Sequence, residues 1–231
     1  MVLINDFKED LYTEYIIKKF DLQVEDKVET YIQDFPTEEL ETITWNIGLI
    51  LGNSGSGKST ILRSLGEIKE PQYDNEKSII SQFPNLSPYE VTELLSGVGL
   101  SSVPIWLHKP NQISSGEKAR LDIAWLIANA TKNSILLIDE FTSVVNRPCA
   151  LSLSFGIQKY IRKYRQDLKL ILASCHFDIV EWIQPDWIFN LNKTENGKVN
   201  LEHLCYKDDY TSYTKVADNL ILSEIKNVIS E

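Results

Sequence analysis

Gly52-Asn53-Ser54-Gly55-Ser56-Gly57-Lys58-Ser59 is a glycine-spaced run that closes on a lysine and a hydroxyl residue. That pattern suits a polyphosphate. Glycines let successive backbone N–H groups turn inward and form an anion-binding nest. A helix starting at the end of the loop adds its positive dipole end. Lys58 supplies a point charge for the outer phosphates, and the Ser59 hydroxyl suits Mg²⁺. Thr60 extends this set of groups into the helix.

Three further groups have the chemistry to act on a bound triphosphate. Asp139-Glu140 follows directly on the apolar run Ser134–Ile138. Asp139 suits Mg²⁺, and Glu140 suits orienting or deprotonating a water, because phosphoryl transfer needs mainly positioning and charge compensation. His176 follows the next apolar run, Leu168–Ala173, and its imidazole can hydrogen-bond a phosphate oxygen. Ile113-Ser114-Ser115-Gly116-Glu117 opens a helix. Ser114 and Glu117 have capping-box spacing, and the same capped start, with Gly116, is also an anion site.

These residues need elements that bring them together. Trp45–Leu51 reads as a short buried strand ahead of the loop, and Ile61, Leu62 and Leu65 give a helical face that stops at Gly66. Ser78–Ser81 reads as a strand ending at Gln82. A helix opens at Ser87-Pro88 with a capping box to Glu90, and a second runs from Ser114 to about Ala130. Ile135–Ile138 and Leu168–Ala173 are near-continuous apolar strands of the parallel, buried kind, with a helix over about 150–164 between them. In such a sheet ligands sit outside the carboxyl ends of the strands, so the phosphate loop, Asp139-Glu140 and His176 should share one edge. Ahead of the core, Tyr15–Ile17 and Lys27–Ile32 read as two strands, and Pro36–Glu39 as a turn or one-turn helix. The tail reads as a hairpin at Asn196-Gly197 and a helix at about 214–229. The expected fold is α/β with a mainly parallel core sheet.

The chain has 231 residues, three cysteines without metal spacing, and a net charge of −10. One domain is the natural count. The opening Met1–Ile4 is apolar but stops at Asn5-Asp6, short of a secretory core, so a reducing cytoplasmic setting is expected. No apolar run approaches the roughly 20 residues of a membrane span, so direct membrane insertion is not expected. The negative charge disfavours nucleic acid. Lys159, Arg162, Lys163, Arg165 and Lys169 form the one basic patch, either a solvated helix face or a phosphate-binding surface.

Taken in order, these elements resemble the ATP-binding-cassette (ABC) ATPases over about residues 15–190. The phosphate loop matches fully and Gln82 looks like the family's Q-loop glutamine. Ile113–Glu117 looks like the LSGGQ signature, with Ile for Leu, Ser for the first Gly and Glu for Gln. Asp139–Asn146 follows the DEPTSALD pattern, with Phe141 for Pro and Asn146 for the final Asp, and His176 takes the switch-histidine place.

The resemblance implies a P-loop NTPase with a small N-terminal β-subdomain over about 1–45, a core over 46–190 and a tail over 191–231. The core would hold a reduced helical insertion over about 83–112. It implies ATP and Mg²⁺ as ligands, with Gly52 through Thr60 on the phosphates and Ser59, Gln82 and Asp139 on the metal. Glu140, Gln82 and His176 would be the catalytic groups. ATP would drive a homodimer in which Ser114 and Gly116 face the nucleotide of the other chain. An aromatic residue would stack on adenine: Tyr31 is best placed, with Phe20 and Phe35 as rivals.

A narrower resemblance rests on Val98–Pro104, Asp139–Val145, Ser174–His176 and Glu181–Trp187. These look like a group of soluble ABC ATPases commonly fused to a predicted N-acetyltransferase domain, some of them phage-encoded. Few residues separate Ser59 from Gln82 and Gln82 from Ser114, which argues for a soluble ATP-driven switch acting on a cytosolic protein, an acetyltransferase among the candidates. The alternative is the nucleotide-binding subunit of a membrane transporter.

Overall fold

The computed structural model describes residues 2–5, 10–21, 28–31, 33–194 and 198–204, with the backbone course alone for 2–5 and 28–31. The hairpin expected at Asn196-Gly197 and the helix expected at about 214–229 lie outside the described residues.

The elements run β1 (Val2–Asn5), α1 (Leu11–Phe20), β2 (Val28–Tyr31), α2 (Thr37–Glu41), β3 (Ile47–Leu51) and α3 (Lys58–Leu65). They continue as α4 (Pro88–Gly97), α5 (Ser115–Asn129), β4 (Ile135–Ile138), α6 (Arg147–Tyr164), β5 (Lys169–Ser174), α7 (Ile179–Ile183), β6 (Trp187–Asn190) and β7 (Leu201–His203). The main sheet has the order β4-β5-β3-β6-β7; β4, β5, β3 and β6 are parallel, and β7 is antiparallel to β6. Strands β1 and β2 form a separate antiparallel pair.

The strands are apolar on both faces because helices cover both, as parallel sheets require. Side chains alternate across the pleat. Ile47, Leu49, Leu51, Leu136, Ile138, Leu170 and Leu172 face the side packed by α4, α5 and α6. Ile50, Leu137, Ile171 and Ala173 face the side covered by α3 through Ile61 and Leu62. Burying each of the Ile and Leu side chains contributes about 1.5–3 kcal/mol. Asp186, just before β6, accepts hydrogen bonds of 2.8 Å from the N–H groups of both Asn46 and Ile47, which fixes the start of β3.

Two sequence expectations fail here. Tyr15–Ile17 lies inside α1, not in a strand. β-branched and aromatic residues suggested extended chain, but Asp10 caps the helix, Thr13 closes a capping box on it, and Asp21 ends it in the left-handed conformation. The partner of β2 is Val2–Asn5 instead. Ser78–Ser81 is not a strand either: Ile79–Gln82 form a 3₁₀ turn. Its first N–H donates to His108 C=O at 2.8 Å, and its residues pack as a lid under α4 rather than joining the sheet.

The basic patch is largely spent on structure. Arg162 pairs with Asp186 at 2.8 Å and donates to the Gln184 carbonyl at 2.7 Å. Arg165 donates to the carbonyls of Ile127 and Ala130 and pairs with Asp167. Lys159, Lys163 and Lys169 lie over the rings of Phe155, Tyr164 and Trp45. Among the described residues no helix is long and apolar enough to cross a membrane.

Helices α4 and α6 cross at Gly156, where a Cβ would stand 1.8 Å from the carbonyl oxygen of Gly97. A helical Gly→Ala change normally gains up to about 1 kcal/mol. Here backbone would have to move, so Gly156→Ala should instead lower stability by about 1–3 kcal/mol. Urea unfolding followed by circular dichroism checks the sign.

Candidate functional site

The loop between β3 and α3 is shaped by its glycines. Gly55 and Gly57 have φ of 79° and 95°, a region that L side chains avoid. At Gly52 a Cβ would stand 2.4 Å from Ser56 Oγ, so a side chain there would displace that hydroxyl. Lys58, buried at the first turn of α3, donates from Nζ to the carbonyls of Gly52 and Asn53 at 2.8 and 2.7 Å. Its ammonium therefore sits across the loop. Ser56 Oγ is buried without a hydrogen-bond partner, the sort of orphaned polar atom that awaits an acceptor or donor from outside. Asn53 is bracketed from β6: its N–H donates to Asn192 Oδ1 at 3.2 Å, and Asn192 Nδ2 donates to Asn53 Oδ1 at 3.0 Å.

Asp139 and Glu140 leave β4, two strands from the loop. Asp139 Oδ1 accepts from the Glu140 N–H at 2.9 Å. Glu140 is exposed, and its Oε2 accepts from Ser143 Oγ at 2.6 Å. The following residue stands where the resembling DEPTSALD pattern has proline. Phe141 donates its N–H to Ala173 C=O at 2.8 Å and is 1% exposed. A proline there could not make that bond. Glu140 and Thr142, on either side, both have positive φ, 49° and 69°.

His176 arrives at the end of β5 beside this loop, with Nδ1 3.0 Å from Thr142 Oγ1. Its N–H donates to Ser174 Oγ at 3.1 Å, and Ser174 Oγ donates to Phe141 C=O at 2.9 Å. Thus β3, β4 and β5, hydrogen-bonded in parallel, deliver the phosphate loop, Asp139-Glu140 and His176 to one edge of the sheet. Asn146 caps α6 by accepting from Cys149 N–H at 2.9 Å, as the aspartate it replaces could also do.

Other expected site residues are placed differently. Gln82 is 6% exposed and its amide is engaged with its own loop. Oε1 accepts from Asp74 N–H at 3.0 Å, and Nε2 donates to the carbonyls of Asp74 and Lys77 at 2.8 and 3.1 Å. Both amide hydrogens are thereby used within its own loop, and Oε1 keeps one lone pair. That loop is pinned to α5, since Tyr73 donates to Asp122 Oδ1 at 2.8 Å. Ser114 does form the capping box, its Oγ donating to Glu117 Oε2 at 2.7 Å and its N–H to the same oxygen at 2.8 Å. These hydrogen bonds, the hydroxyl's first, hold the Glu117 carboxyl below the usual carboxylate range. Gly116 has open space, a Cβ there meeting only Val145 at 3.8 Å.

Of the three adenine candidates, the Tyr31 side chain lies outside the described residues. Phe20 is exposed on α1. Phe35 packs edge-on against Phe189 at 5.0 Å and belongs to the core on the α3 side. Thr142, Ser174 and Asn192 were missed by sequence reasoning. The only signal for them was position: each lies on or just past a strand that ends at the loaded edge.

A metal would have to be shared with the nucleotide. Among the described residues no three His, Cys, Asp or Glu side chains cluster. One hydroxyl (Ser59), one carboxylate (Asp139) and phosphate oxygens make a donor set of the kind Mg²⁺ takes. A cavity of about 250 Å³ opens between α5 and β4, where Asp139, Glu140 and Thr142 line it together with Ile123, Leu126 and Leu153.

No protein-family model matches the chain. The chain is 30% identical to the methionine import ATP-binding protein MetN of Cutibacterium acnes, over 44% of this chain and 39% of that protein. It is 26% identical to the energy-coupling factor transporter ATP-binding protein EcfA1 of Lactobacillus gasseri, over 65% of each. The chain therefore spans less than two thirds of the length of these curated relatives. The solved structure of cbiO1 from Clostridium perfringens, part of the ABC transporter complex cbiONQ, superposes with a TM-score of 0.50. That match has 18% identity and covers 89% of this chain and 92% of that one. The fold is that of the ABC-type nucleotide-binding cassette, a P-loop α/β fold with a mainly parallel sheet.

Because Phe141 anchors the loop that carries Asp139 and Glu140, Phe141→Ala should lower stability by about 3–5 kcal/mol. Chemical denaturation of the variant and wild type measures the difference.

Proposed function

We propose that this chain, a cassette of the ABC fold, binds Mg-ATP and hydrolyses it to ADP and phosphate at the edge where β3, β4 and β5 end. The observation that carries the reading is the convergence there of the glycine-shaped loop, Asp139-Glu140 and His176. In a protein of net charge −10, Lys58 is the cation inside the loop. A triphosphate takes the place of the Gly52 and Asn53 carbonyls as its partner. The backbone N–H groups of residues 52–60 hold the phosphates, with Ser59 and Asp139 sharing the metal. Bound Mg²⁺ would neutralise charge on the phosphate oxygens. Glu140, exposed and steadied by Ser143, orients a water and accepts its proton. His176 contributes a ring nitrogen toward the terminal phosphate.

Ser114 and Gly116 stand on α5, away from their own chain's loop in sequence, and complete the site of a second copy. Ser114 must then leave the Glu117 carboxylate for a phosphate oxygen. A C2 pair would form two sites at once, so ATP would favour dimers by mass action.

The relatives named above are all ATP-binding proteins of import or transport systems, which favours a membrane transporter component on the cytoplasmic side as the partner. A second reading, a soluble switch acting on a cytosolic protein such as an acetyltransferase, is favoured by the short spacings around Gln82 and the small α4 region. Affinity purification of the ATP-trapped chain separates the two: a multi-span membrane protein supports the first, a soluble acetyltransferase the second.

Glu140→Gln should bind Mg-ATP with wild-type affinity, release phosphate at about one hundredth of the wild-type rate or less, and run as a dimer on light-scattering chromatography. Turnover near the wild-type rate would remove Glu140 from the mechanism. Lys58→Ala serves as the control that loses nucleotide.

A further inference from the structure

The conformation of Thr142 is costly for its residue type. Its φ is 69°, a region where glycine and asparagine sit readily and a β-branched residue is an outlier. A turn alone would be better served by glycine. The threonine side chain therefore has a use that backbone shape does not supply.

That use is visible in its hydrogen bonding. Thr142 is 4% exposed, and its Oγ1 stands 3.0 Å from His176 Nδ1. No other hydrogen bond involves this hydroxyl among the described residues. A buried hydroxyl needs an acceptor for its proton. If Nδ1 carried a proton, the threonine hydroxyl would have no acceptor among the described residues. The pair is satisfied when Thr142 donates, Nδ1 accepts, and the neutral ring keeps its proton on Nε2. The backbone makes the same connection a second time: His176 N–H donates to Ser174 Oγ, and fully buried Ser174 donates to Phe141 C=O. Ring and backbone of His176 are thus both tied to the loop that carries Asp139 and Glu140.

We propose that Thr142 is a positioning residue that sets the tautomer of His176, leaving Nε2–H as the ring's hydrogen-bond donor. The inference rests on the reading of His176 as a phosphate-contacting group. A ring with an unprotonated Nε2 would meet a phosphate oxygen as acceptor against acceptor. The tautomer therefore decides whether the imidazole can contribute at all without taking up a proton. Thr142 acts through His176 and touches no nucleotide itself.

The test has one arm that needs no activity. In ¹⁵N-histidine-labelled protein, at a pH where the ring is neutral, long-range ¹H–¹⁵N correlations report which ring nitrogen is protonated. The His176 signals are assigned by their loss in His176→Gln. Wild type should show the Nε2–H form. Thr142→Val keeps the branched shape without the hydroxyl and should give a mixture of tautomers, and Thr142→Ser should restore the single form. Wild type in the Nδ1–H form, or Thr142→Val with an unchanged pattern, overturns the proposal.

The second arm is kinetic. Thr142→Val should lower kcat about tenfold with KM for ATP little changed, while Thr142→Ser recovers most of the rate. Added to His176→Ala, Thr142→Val should cost less than about twofold, because residues acting as one unit are not additive. Full additivity overturns the proposal. If wild type shows no ATP hydrolysis, the ring spectra still decide the role of Thr142, and it is the functional reading that fails.

Discussion

The backbone hydrogen bond from Phe141 N–H to Ala173 C=O, 2.8 Å long, joins the loop after β4 to the end of β5. The rest of the site depends on it. It carries the pairing of β4 with β5 past the last strand residue, so the two chain ends leave the sheet together. The buried Phe141 ring holds the loop from below, and left-handed residues on both sides turn Glu140 outward and Thr142 inward. Ser174 and Thr142 then fasten the histidine loop to the same point. Because β5 also pairs in parallel with β3, the loop after β3 leaves the sheet at the same edge as Asp139 and Glu140. Preorganisation of this kind comes from rigid strands, with the reactive groups on the short loops beyond them.

The polar groups singled out in the sequence are engaged with protein partners. Lys58 holds two carbonyls of its own loop. Gln82 holds the Asp74 backbone, and Ser114 holds Glu117. The Lys58 and Ser114 bonds are charge-assisted, one through the ammonium and the other through the Glu117 carboxylate. The Gln82 loop is tied to α5 through Tyr73 and Asp122, and α5 begins at Ser114. Gln82 and Ser114 therefore belong to one connected piece of structure on the far side from α3.

The parts legible in the sequence are those encoded by neighbours in the chain. The phosphate loop needs only its own glycines and the strand and helix around it. Asp139-Glu140 and His176 follow apolar runs whose parallel pairing is readable from their continuity. The capping boxes at Ser87 and Ser114 are local, and both formed as read. What was missed depends on distant partners. Thr142 bonds to His176 and Asn192 to Asn53, and neither pairing leaves a local trace in the sequence. The orientation of Gln82 was not legible, because its amide answers to Asp74 in a loop with no regular pattern. Tyr15–Ile17 was misread because residue type was weighed above the caps at Asp10 and Asp21.

The central claim is that one sheet edge binds a nucleotide and that α5 of a second copy closes it. Hydrogen exchange of the Glu140→Gln chain, read by mass spectrometry with Mg-ATP, Mg-ADP or neither, tests this most directly. The account predicts that either nucleotide slows exchange over 52–60 and 139–143, and that ATP alone slows it over 113–118. Unchanged exchange over 52–60 at saturating Mg-ATP would contradict the account at its foundation.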